Sequence, residues 1–253
     1  MCLQWTPLQS FHAHRRSDPR PLPAQTVTYK FDFTSVLAQW PLFLHGAWLT
    51  VKLSLAATLL GLLIGTLCAI GRGSRNPVVA RGCAIYVESI RNTPLLVQIF
   101  LVYFGLASVG LKVPAFIAAV LAMVINVGAY TTEIMRAGIE SINRNQIEAA
   151  ECLALSRAQV YWHVILRPAM ERVYPALTSQ FVLLMLATSI TSQISAEELT
   201  AIANRVQSDT FRSFETYAVV AVFYLLLSLL MRGAFWAAGQ ALFTRRRKLG
   251  TPL

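Results

Sequence analysis

The sequence is short of charge. Lys, Arg, Asp and Glu make up 13% of its 253 residues, where a soluble domain carries about 25%, so lipid is the solvent for much of the chain. It also lacks a GxxxxGK[ST] run, and with it the backbone cradle that P-loop nucleotide chemistry needs. Cysteine is scarce: Cys2, Cys68, Cys83 and Cys152 form no CxxC and have no metal-ligand spacing, which reads as unpaired thiols. Cys68 lies in an apolar run, where it behaves as a small hydrophobe. Of the four histidines, His12 and His14 stand as HxH in a tail rich in Pro and Arg with no third ligand nearby. No metal site is expected. His45 and His163 are the only histidines near the apolar region and are far apart, so no constellation for a membrane enzyme forms. Acidic residues are outnumbered and the net charge is +10. The basic residues nevertheless sit in short clusters between apolar runs rather than on one soluble face. That pattern sets membrane orientation and gives no reason to expect nucleic acid as a partner.

What is abundant is apolar sequence, 55% of the chain. Residues 1–30 lack an apolar h-region, so they are not a secretory signal; a poorly ordered tail is expected. Residues 31–44, FDFTSVLAQWPLFL, are too broken to span, and their Trp and Phe content suits a short helix in the membrane interface. Five stretches, near 45–70, 92–111, 113–132, 173–196 and 216–243, meet the requirement of about 20 apolar residues per crossing. The expected fold is therefore an all-α integral membrane protein with five transmembrane helices over 45–243 and a basic tail over 244–253. Gly61, Gly65 and Thr66 place small residues on the first span, as close helix packing requires. Arg72, Arg75, Arg81 and Arg91 follow the first span. Arg136, Arg144, Arg157, Arg167 and Arg172 follow the third, and Arg245, Arg246, Arg247 and Lys248 end the chain. By the positive-inside rule these segments face the cytoplasm and the N-terminus lies outside. Arg15, Arg16, Arg20 and Lys30 run against that count.

The segment 135–172 carries the mechanism. NQIEAAECLAL (145–155) has alanines and apolar residues at helical spacing. Ser156 with Gln159 fits a capping box opening a second helix, which Pro168 is expected to end. A helical hairpin hung from two spans, with small residues at its tip, is shaped to dock into a partner's groove; a solvated amphipathic hairpin is the alternative. Within the spans Gln98, Asn126, Thr188, Ser189 and Ser192 are polar, and polar residues inside a bundle are candidates for a solute path. Interhelical hydrogen bonding is the competing role. Glu88 and Glu133 lie at spacing to pair with Arg91 and Arg136.

Glu148, Ala149 and Ala150, followed by Leu155, Ser156 and Arg157 and then Val164, Ile165 and Leu166, resemble the EAA loop of permease subunits of ATP-binding-cassette (ABC) importers. The run from Arg91 through Gln98 (RNTPLLVQ), the stretch from Gly128 to Ile139 and the run from Thr210 to Tyr217 resemble the polar amino-acid subfamily, of histidine and methionine permease type. The resemblance covers nearly all of 31–243. It implies a type I ABC importer fold and transport of a polar amino acid across a bacterial inner membrane. ATP and Mg would lie on a partner ATPase dimer, with no cofactor on this chain. A second permease, an external amino-acid-binding protein and membrane lipid are the other implied partners. It further implies that Glu148, Ala149, Ala150, Ala154, Leu155, Ser156 and Arg157 form the coupling loop gripped by the ATPase. The sequence departs from the pattern where the family has glycine (Ala154) and proline (Arg167, with Pro168 one residue later). An ion-coupled secondary carrier is the alternative function. It predicts charged midplane sites and an inverted repeat, and neither is visible here.

Overall fold

Pro41 fixes where the first long helix begins. It sits in the opening turn of α2 (Trp40–Arg72), where a missing N–H costs nothing. The computed structural model describes residues 29–242; the HxH pair, most of the N-terminal tail and the basic C-terminal cluster lie outside the described residues. The expected interfacial segment divides in two. α1 (Thr34–Leu37) is a single turn, and residues 40–44 belong to α2, which therefore starts ahead of the expected boundary at 45.

Asn76 caps α3 (Pro77–Arg91) by accepting from the Val78 N–H at 3.0 Å. The helix ends at Asn92 and Thr93 because the residue before Pro94 is pushed out of the helical region. α4 (Leu95–Ser108) follows at a bend of 109°. The crossing expected at 92–111 is thus corrected: α4 has 14 residues, about 21 Å of rise, against a hydrocarbon core of about 30 Å. It passes as a span only when counted together with α3, as a pair bent at residues 92–94. α5 (Ala115–Glu140) is long, 26 residues. α6 (Arg144–Cys152) and the short α7 (Arg157–Gln159) form the hairpin.

The second hairpin helix does not stop at Pro168. α7 runs through π-helical turns, Val160–Leu166, directly into α8 (Arg167–Ala187), with Pro168 in its first turn. In a regular helix the proline ring would meet the carbonyl four residues back; wider π turns ahead of it relieve that clash. A 3-10 stretch, Thr188–Ile194, continues to α9 (Leu199–Thr210) and α10 (Ser213–Leu242). Among the described residues four helical runs are long and apolar enough to cross a membrane: α2, α5, Arg157–Ile194 and α10. The bent α3–α4 pair makes up to five.

The main core joins α2, α4, α5 and α8 around Leu53, Ile99, Met123, Val127, Leu177 and Phe181. Its tightest seam is α2 on α5. A Cβ on Gly61 would lie 2.1 Å from the Val127 side chain, and one on Gly65 would lie 2.8 Å from the Gly128 carbonyl. The small residues on the first span therefore serve packing. A second cluster at the other end joins Val36, Phe43, Leu199, Val206 and Val220. The fully buried Glu215 accepts there from the Asp32 N–H at 3.1 Å and lies 3.6 Å from Arg212.

Candidate functional site: an exposed elbow and two polar cavities

The hairpin is rigid at its base and bare at its tip. Its base closes where Gly138 of α5 meets α8: an added Cβ would lie 2.4 Å from Val173 and 3.3 Å from the Ala169 carbonyl. Arg172 clamps the same seam, donating to the Ser141 carbonyl and, at 2.9 Å, to its hydroxyl. Asn143 caps α6 from its side chain. α6 then closes in a Schellman motif: Leu155 N–H reaches the Ala150 carbonyl at 3.2 Å and Ala154 N–H reaches Glu151 at 2.9 Å. Ala154 occupies the left-handed position, φ 56°, where glycine fits at no steric cost. The departure seen in sequence therefore keeps the glycine geometry and carries its strain. Ser156 and Gln159 complete the expected capping box, with the Ser156 N–H donating to Gln159 at 2.9 Å.

At the tip, Ala150 alone among the loop residues is buried, while Glu148, Ala149, Ala154, Leu155, Ser156 and Arg157 are exposed. Glu148 pairs with Arg144 at 3.2 Å across one turn. Leu153 is 76% exposed, an apolar side chain at the end of a largely polar helix. The surface is small, rigid and partly apolar, which suits docking to a protein groove.

The path residues divide. Gln98 and Asn126 come together: the Asn126 amide donates to the Gln98 side-chain oxygen at 2.9 Å. Gln98 in turn donates to the carbonyls of Ile90 (2.7 Å) and Thr93 (3.0 Å) and to the Thr93 hydroxyl (2.8 Å). Gln98 thereby holds the α3–α4 elbow shut, a structural task. Asn126 borders a cavity of about 550 Å³ lined also by Arg91, Thr93, Tyr130 and Gln180. Ser189 and Ser192 border a second cavity, about 440 Å³, with Gln193, Thr200, Asn204 and Tyr217. Thr188 lines neither; it is fully buried, its hydroxyl donating to the Met185 carbonyl at 2.7 Å.

Sequence spacing missed the largest charge cluster. Glu133 pairs with Arg136 at 3.0 Å as its spacing suggests, but also with Arg72, and lies 3.8 Å from Arg91. Arg91 therefore does not pair with Glu88, whose carboxylate instead accepts from Asn92 at 3.3 Å. Arg72 and Glu133 are 61 positions apart, beyond any local rule. Glu198 was also missed. Its two carboxylate oxygens accept from the Ala201 N–H at 2.9 Å and the Tyr224 hydroxyl at 2.7 Å, and burial pushes its carboxyl above the usual range.

A model of the family described as binding-protein-dependent transport system inner membrane component matches residues 61–241. The chain belongs to that family. It is 34% identical over 204 residues to the glutamine transport system permease protein GlnP of Escherichia coli strain K12, covering 80% of this chain and 93% of that protein. It is 32% identical over 221 residues to the nopaline transport system permease protein NocM of Agrobacterium fabrum, covering 81% and 91%. Among solved structures, an amino acid ABC transporter determined with histidines aligns at a TM-score of 0.77 and 36% identity, over 84% of this chain and all of that one. An inward-facing MetNI methionine ABC transporter aligns at a TM-score of 0.68 and 18% identity, a likeness of fold. The permease is thus a multi-pass inner-membrane subunit of an ABC importer with the type I fold. That membership removes the ion-coupled carrier.

Proposed function

We propose that the permease moves a polar amino acid inward, driven by an ABC ATPase dimer that grips the α6–α7 elbow. The observation that carries this reading is the elbow itself. It presents Ala149, Leu153 and Leu155 outward while its base is locked to α5 and α8 through Gly138, Ser141 and Arg172. A push on so stiff a lever moves two spans together, because packed elements shift as units rather than deform. ATP and Mg belong to that partner; this chain supplies no phosphate cradle. A second permease and an external binding protein complete the assembly. The amino-acid substrate is supported by the glutamine and nopaline permeases among the relatives.

The arginine-rich ends of α2, α3 and α5 and the elbow face the cytoplasm by the positive-inside rule. The N-terminus and the α9–α10 turn then lie outside. On this orientation the cavity with Ser189 and Ser192 is the outer part of the path. The cavity with Asn126 and Tyr130 is the inner part.

Glu148→Arg tests the coupling. It replaces one partner of the Arg144 pair with a like charge on the docking face, and uptake should fall below detection while membrane content stays normal. Normal uptake by that variant would overturn the role of the elbow.

A further inference from the structure

The inner cavity contains a cation whose charge the protein leaves partly unmet. Arg91 lines it at the last turn of α3, 41% exposed. Its guanidinium lies over the Tyr130 ring, 5.6 Å from the centroid, and 3.8 Å from Glu133. Glu133 is already engaged more closely by Arg72 and Arg136, and Arg136 also pairs with Glu140 at 2.6 Å, so three guanidiniums meet two carboxylates and Arg91 holds the longest of the three contacts to Glu133. Around it stand polar groups that neither repel nor neutralise an anion: Asn92, Thr93, Asn126 and Gln180. The break at Pro94 adds to this. Pro94 and Leu95, where α4 begins, belong to the same lining, and a helix start favours negative charge. A volume of about 550 Å³ lies within the range of small-molecule sites.

We propose that Arg91 is the receptor for the substrate's α-carboxylate in the inner half of the path. The Tyr130 ring holds the guanidinium in place as the carboxylate exchanges with Glu133 at it. This rests on the reading of the permease as an amino-acid importer. It explains why the α3–α4 bend carries arginine rather than lysine at the cavity: the planar fork meets a carboxylate with two parallel hydrogen bonds, which lysine cannot do. It also requires the cationic groups to outnumber the carboxylates of the cluster, and Arg72, Arg91 and Arg136 do outnumber Glu133 and Glu140. A site with matched charges would bind the substrate carboxylate poorly.

The test uses the complete complex of permease and ATPase in detergent, without the external binding protein, so that the permease's own selectivity is read. Tritiated L-glutamine is bound and competed with unlabelled L-glutamine or with L-glutaminamide, which lacks the carboxylate charge. The same titration is repeated with L-histidine and its amide. Wild type should prefer the acid over the amide by about tenfold or more, as a charge-assisted contact implies. Arg91→Gln should lose that preference, and Arg91→Lys should retain part of it. Equal membrane content and elution of the three proteins separates this from misfolding. Absence of binding or of acid preference in wild type, or full preference in Arg91→Gln, overturns the assignment. The importer reading has its own separate test: a wild-type complex, reconstituted with its binding protein, that takes up no amino acid on ATP sinks that reading whatever Arg91 does.

Discussion

α5 and α10 are both long apolar helices, yet 61% of the apolar window of α5 is buried inside the chain against 6% of that of α10. The difference lies in side-chain size. α5 offers Ala118, Ala119, Ala122, Gly128, Ala129 and Gly138 to its neighbours, and α2 closes on it with Gly61 and Gly65. α10 presents Leu225, Leu226, Leu229, Leu230 and Trp236 outward. In lipid, apolar surface alone does not draw helices together; close backbone approach and dispersion do. So the small-residue helix becomes the beam on which the bundle is built, and the elbow hangs from its C-terminal end. The leucine-rich one stays peripheral.

The largest expected effect comes from breaking that seam. Gly65→Leu forces a side chain against the Gly128 carbonyl and Thr131, which lie 2.8 Å and 2.5 Å from the first added carbon. Overpacking of this kind costs about 3 kcal/mol or more when backbone is in the way, and the variant should vanish from membranes. At Gly233 on α10 an added Cβ meets nothing within 4 Å, and Gly233→Leu should accumulate normally. Equal levels of the two variants, measured by quantitative blotting of membranes, would dissolve the contrast.

Glu133→Gln tests the beam's C-terminal end. It removes the one carboxylate shared by Arg72, Arg91 and Arg136 and should cost about 2 kcal/mol, as lost hydrogen bonds to charged groups do. A clear fall in detergent-phase melting temperature is the readout; an unchanged melting temperature would mean that water replaces the carboxylate. The smallest effect belongs to the elbow. Ala154→Gly relieves the left-handed strain at φ 56° and should stabilise by about 1 kcal/mol. Hydrogen exchange at Leu155, whose N–H closes the Schellman motif, should slow accordingly, and faster exchange would contradict the account.

Much of this was legible in the sequence, for identifiable reasons. Runs such as 45–70 and 216–243 declare themselves because a crossing needs continuous apolar length. The Ser156–Gln159 capping box is a contact three residues long, and its spacing is its geometry. The crossing expected at 92–111 takes in α4 and leaves α3 in the preceding loop, because apolar length singles out only the more apolar of the two helices; Thr93 and Pro94 carry the signal for the bend between them. The passage of α7 into α8 is hidden from the sequence, because proline ends a regular helix and the π turns ahead of Pro168 are not a sequence pattern. Of the polar span residues, Gln98 and Thr188 look alike to any composition rule. Only the fold shows that one braces an elbow and the other bonds its own backbone. The Glu133 cluster and the lining of the inner cavity join residues from separate helices, which no local spacing reveals.

The account stands on the elbow being held by an ATPase, and Cys152, exposed on α6, reports on it directly. With the other cysteines replaced by serine, the rate of maleimide labelling at Cys152 is compared between the permease alone and its complex with the ATPase. Labelling that is fast in the isolated permease and strongly suppressed in the complex is the predicted result, and Glu148→Arg should restore the fast rate. Equal labelling rates in the two, in a complex that transports, would contradict it.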